Sequence, residues 1–101
     1  MQQNQLKRYS MEKTDQLFQT LDSLSKKLGV KPRDVLSRKR TRLLVDARCQ
    51  IAATLRARQE VRQQDIADLF GISQAAVSKL LVRHRDLMQT DRHYQALFSA
   101  L

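Results

Sequence analysis

At 101 residues the chain is one domain with a modest core, and its 19 Lys and Arg against 10 Asp and Glu leave a net charge of +9, which points to a polyanionic partner, with a solubilising surface as the bland alternative. Three Phe, two Tyr and no Trp leave the core to aliphatic residues, while two Gly and one Pro favour helices over strands. One cysteine excludes an internal disulfide, no apolar run approaches the ~18 residues that cross a membrane, and the start MQQNQLKRYS has no signal-peptide core, so the chain reads as soluble, cytoplasmic and nucleoid-associated.

Residues 1–9 are polar and basic and are expected to be frayed, ahead of a single domain over residues 10–101. From Ser10 onward, Leu17, Leu21, Leu24 and Leu28 with Phe18 beside them form one apolar stripe of a helix, ended by Gly29. Pro32 opens a short helix with Val35 and Leu36 as its apolar face. Residues 37–40 form a basic connector. Thr41 is placed to cap a longer helix in which Leu44, Ala47, Ile51 and Leu55 line one side. On that helix Cys49 reads as a packing residue. Arg48 lies about 40° from Leu44 on the wheel, at the border of the stripe, so it either snorkels to the surface or pairs with an acid such as Asp65 or Asp68.

After Arg58 the polar stretch QEVRQ interrupts the pattern. A short helix over residues 63–70 turns Ile66, Ala67, Leu69 and Phe70 inward and stops at Gly71. Ser73 then caps a helix carrying Val77, Leu80, Leu81, Leu87 and Met88, and a last helix from about Asp91 offers Tyr94, Leu97, Phe98 and Leu101. The expected fold is an all-α bundle of five to six helices.

Within "DIADLFGISQAAVSKLL" three positions carry most of the meaning. Ala67 sits where two short helices come closest, Gly71 turns the chain where positive φ is cheap for glycine, and Val77 plugs the gap, with Ile66 and Leu80 completing the contact. This spacing predicts a helix-turn-helix over residues 63–83. The helix beginning at Ser73 is then the one that enters a DNA major groove, N-terminal residues first. With Val77 inward, Ser73, Gln74, Ala75, Ser78 and Lys79 are the base-reading candidates. Glutamine pairs with adenine N6 and N7, alanine touches a thymine methyl, and lysine reaches guanine or phosphate. A solvated surface is the alternative for each.

Ten of the basic residues fall within residues 31–62 against three acids. The densest part, "SRKRTR", opposes the helix dipole where it begins, a placement that makes sense with a phosphate between the side chains. Phosphate-contact candidates are Arg38, Lys39, Arg40, Arg42, Arg48, Gln63, Gln64 and Arg83. If six to eight groups meet phosphates, log K falls with log salt at a slope of roughly −5 to −7.

The run "LGVKPRDVLSRKRTRLLVDARCQIAATLRAR" followed by "IADLFGISQAAVSKL" resembles the C-terminal DNA-binding domain of the bacterial replication initiator DnaA and the related domain of single-strand-nicking transposases. The resemblance covers about residues 24–90 and implies an all-helical fold, similar also to the Trp repressor, that binds duplex DNA through the helix-turn-helix and a basic loop. It places Arg40, Arg42 and Arg48 among that family's basic positions. Ser73, Gln74, Ala75 and Ala76 stand where the initiator carries an Asp-His-Thr-Thr reading segment, so binding to the replication origin's repeats is not expected.

These readings converge on a sequence-specific double-stranded DNA binder, a small bacterial or phage transcriptional regulator. The alternatives are an accessory protein of DNA replication initiation or transposition, and an RNA-binding or partner-binding module such as an antitoxin. No nucleophile pattern, phosphate loop or ligand cluster suggests catalysis, a cofactor or a metal; His84 and His93 lack neighbouring ligands. The first helix (Phe18, Leu21) and the last (Leu97, Phe98, Leu101) either cap the core or provide the seam of a homodimer.

Overall fold

Helix ends in this chain are set by side chains that take up backbone groups the helices leave unpaired. The computed structural model describes the backbone of residues 2–58 and 60–101 and the side chains of residues 13–58 and 60–101. Among these it has six helices and no strand: α1 (Gln2–Lys27), α2 (Pro32–Val35), α3 (Arg42–Arg56), α4 (Gln63–Phe70), α5 (Gln74–Thr90) and α6 (Arg92–Ser99). The fold is an all-α bundle. Thr41, Ser73 and Asp91 cap α3, α5 and α6, each accepting a backbone N–H three residues on, from Leu44 (3.3 Å), Ala76 (3.1 Å) and Tyr94 (3.0 Å). Pro32 opens α2 at a position whose N–H would be unpaired in any case.

Gly71 ends α4 with φ +66°, and the two hydrogen bonds after it, Gly71 N–H to Asp68 O (3.3 Å) and Ile72 N–H to Ala67 O (2.9 Å), form a Schellman closure. The chain is thereby turned within three residues, and Ser73 starts the next helix. α1 closes in the same way at Gly29.

α3 lies at the centre and touches α1, α2, α4 and α5. Its Leu44, Ala47, Ile51 and Leu55 are buried, as the apolar spacing requires, and Leu44, Ile51 and Leu55 join Leu17, Leu21 and Leu24 of α1 and Ile66, Ala67 and Phe70 of α4 in one core cluster. Burying an aliphatic side chain of this size contributes roughly 1.5–3 kcal/mol each. Cys49 is fully buried beside them. Val61, in the stretch that interrupts the sequence pattern, is buried too.

Some expectations need correction. α1 is helical back to Gln2 rather than beginning near Ser10. The backbone of residues 2–9, expected to be frayed, is part of that helix, while the side chains of residues 1–12 lie outside the described residues. Phe18, read with the leucine stripe, is 44% exposed, because the stripe centres on Leu17, Leu21 and Leu24. Tyr94 and Phe98 of α6 pack against His84 of α5, with ring centroids at 5.5 and 4.5 Å, and Leu97 and Leu101 are half-buried within the chain.

Candidate nucleic-acid interface

The first turns of α5 stand out from the bundle because Val77 is driven in. Val77 is fully buried and Leu80 half-buried, so helical periodicity turns the intervening residues outward. Ser73, Gln74, Ala75, Ser78 and Lys79 are all exposed, and Val82 and Arg83 continue the same side. Ala67 is buried under this crossing, where a larger side chain would push α4 and α5 apart.

The amide side chains at the start of α4 hold this surface in place. Gln63 Nε2 donates to the Gln74 carbonyl (3.0 Å) and to Ser78 Oγ. Gln74 Nε2 donates to Gln64 Oε1, and Gln64 Nε2 donates in turn to Asp68 Oδ1 (2.7 Å). The Gln63 and Gln64 amides are therefore engaged with α5, and Gln64 also with Asp68 of its own helix. Asp65, at the same end of α4, accepts the Arg62 N–H at 2.8 Å and the Lys13 ammonium at 2.9 Å. Burial alone would raise the Asp65 carboxyl, but these donors more than offset it and hold its pKa below the usual value.

The basic connector and α5 share an open groove of about 770 Å³, whose lining includes Arg38 and Arg40 of the connector, Ile72 of the turn, and Ala76 and Lys79 of α5. The connector is built rather than loose. Ser37 Oγ donates to the Asp34 carbonyl (2.7 Å) and accepts the Lys39 N–H (3.1 Å). Arg48 reaches back from α3 to brace it, Nε donating to Val35 O (2.7 Å) and Nη2 to Asp34 O (3.0 Å) and Ser37 O (2.9 Å). Arg48 thus takes neither of the two places expected of it, free at the surface or paired with Asp65 or Asp68. A guanidinium fork satisfies the open carbonyls after a one-turn helix better than a single carboxylate partner could use it. Desolvation, with Arg40 nearby, lowers its pKa, yet a guanidinium remains charged.

The remaining basic candidates divide into two groups. Arg38, Arg40 and Lys79 are exposed and, among the described residues, lack a carboxylate at ion-pair distance. Lys39 folds back on Asp34 (3.2 Å), Arg83 meets Asp46 (3.3 Å), and Arg42 spans Asp46 (3.8 Å) and Asp91 (3.7 Å). Such exposed pairs are weak, so these three cations stay available to a stronger anion.

No family model, curated protein or solved structure matches this chain. Function is therefore argued from its own residues. The sequence alone did not reveal Asp68 and Gln64 as supports of Gln74, although a glutamine four residues before an aspartate on one helix is a legible hydrogen-bonding pair. Arg48's brace had no sequence signal, because its acceptors are backbone carbonyls.

Proposed function

We propose that the chain is a sequence-specific double-stranded DNA-binding protein, a small transcriptional regulator, in which α4, the Gly71 turn and α5 act as a helix-turn-helix. The N-terminal turns of α5 enter the major groove, and the 37–40 connector grips the flanking phosphates. One observation carries this reading. Lys79, on the exposed face of α5 that also carries Gln74, Ala75 and Ser78, lines one groove together with Arg38 and Arg40, so a helix face able to read bases borders cations able to hold phosphate. The resemblance of residues 24–90 to the replication initiator's DNA-binding domain supports the same reading. The different residues at the start of α5 imply a different target sequence.

The free and weakly paired cations set the expected salt dependence. Arg38, Arg40 and Lys79 alone give a slope of log K against log salt near −3, and adding Lys39, Arg42 and Arg83 brings it to about −5. Arg48, already committed to the connector, is left out. Selection of bound duplexes from a random pool, followed by mobility shifts with a selected duplex, a random duplex and a structured RNA, tests the proposal. The expected result is one enriched motif, bound tighter than the random duplex and the RNA. Equal binding to all duplexes, or tighter binding to the RNA, would overturn it and favour the RNA- or partner-binding alternative.

A further inference from the structure

We infer that Asp68, Gln64 and Gln74 form a hydrogen-bond relay that fixes the Gln74 side-chain amide in the orientation that reads adenine, making Gln64 and Asp68 positioning residues for one A·T base pair. The inference rests on the DNA-binding reading above and deepens it. The direction of every hydrogen bond follows from the carboxylate at its end. A carboxylate accepts and does not donate, so the Gln64 group facing Asp68 at 2.7 Å is its NH2. Gln64 Oε1 is then the atom turned toward α5, and it accepts a hydrogen bond from Gln74 Nε2.

Gln74 is left with one N–H and its Oε1, on an exposed side chain. Adenine offers the matching pair in the major groove, an acceptor at N7 and a donor at N6, whereas guanine offers two acceptors and would set O6 against Oε1. A glutamine free to rotate would have to lose that freedom on binding; here the orientation is set beforehand. The backbone under it is held as well, since Gln63 donates to the Gln74 carbonyl and to Ser78 Oγ one turn further along α5.

The test uses the full chain and compares base preference, position by position, in duplexes selected by the wild type and by Gln74→Ala, Gln64→Ala, Asp68→Ala and Gln64→Glu, with circular dichroism to verify folding. Gln64, Asp68 and Gln74 are exposed, so all four variants are expected to fold. The wild type should favour adenine at one position by about 5- to 150-fold over the other bases. Gln74→Ala should flatten that position. Gln64→Ala and Asp68→Ala should cut the preference there to under a third while leaving the other positions and the salt slope unchanged. Gln64→Glu loses the donor to Asp68 and sets two carboxylates against each other, so it too should cut the adenine preference, and its added negative charge should weaken binding to every sequence. An adenine preference that survives Gln64→Ala and Asp68→Ala overturns the relay. A wild type with no preference for any duplex instead overturns the DNA-binding reading beneath it.

Discussion

Replacing Arg48 by methionine isolates the brace that holds the basic connector. The methionine stem keeps most of the packing along α3 and removes the charged fork. Three carbonyl acceptors lose a charged donor, those of Val35 (2.7 Å), Ser37 (2.9 Å) and Asp34 (3.0 Å), the last keeping the Ser37 hydroxyl and N–H. A hydrogen bond to a charged group is worth about 1.5–3 kcal/mol net, but the three do not count equally. Val35 is almost wholly buried, so its carbonyl is left poorly solvated, whereas the half-buried Asp34 and Ser37 can regain water. Relief of the guanidinium's own desolvation offsets part of the loss. The balance is a destabilisation of about 2–4 kcal/mol, against roughly 5–15 kcal/mol for a whole domain of this kind. Urea unfolding followed by circular dichroism should show a midpoint lower by about 1–2 M. Arg85→Met, an equal loss of charge at an exposed position of α5, is the control and should move it little. If Arg48→Met shifts the midpoint no more than Arg85→Met does, the brace contributes nothing to stability and its assignment is wrong.

Gly71→Ala should cost about 1–2 kcal/mol, the penalty of a left-handed conformation for a side chain, because a Cβ built at Gly71 meets nothing within 4 Å; a loss above about 3 kcal/mol in the same assay would mean that the α4–α5 crossing itself had moved. His84, desolvated between α5 and α6 with Nδ1 2.7 Å from the Tyr94 hydroxyl, has its pKa lowered by burial. The unfolded chain therefore takes up a proton first as the pH falls below about 6.5, and stability, complete above that value, declines toward the lower folded pKa. Thermal melts between pH 7.5 and pH 5 should show Tm falling, with His84→Gln flattening the profile; a Tm that rises on acidification would reverse the sign. The Cys49 thiol is pushed up to about 11 by burial, so a thiol reagent at pH 8 should modify it only as fast as the chain opens, and full labelling of the folded protein within seconds would contradict that.

What the sequence made legible was what local rules control. The caps at Thr41 and Ser73 and the glycine turns depend on residues within five positions of one another, and helical spacing alone placed Ile66, Ala67 and Val77 inside. The exposed face of α5 followed from the burial of Val77 in the same way. Contacts across the chain were not legible. Arg48 satisfies carbonyls more than ten residues away, and backbone carbonyls are identical at every residue, so nothing in composition marks them as its partners. Val61 is buried although its neighbours are polar, because it joins the core cluster to which α1, α3 and α4 contribute.

The charge pattern shows why placement matters more than count. Asp46 on α3 draws in Arg42 and Arg83, Asp34 draws in Lys39, and Arg48 is turned inward. Four of the basic candidates thus have a partner within the fold, which leaves Arg38, Arg40 and Lys79 as a small free set. All three line the groove beneath the first turns of α5. Three exposed cations on one groove repel one another, which a surface that served only solubility does not require. An anion between them removes that repulsion. Under the proposed function, that anion is the backbone of the duplex whose major groove takes the first turns of α5.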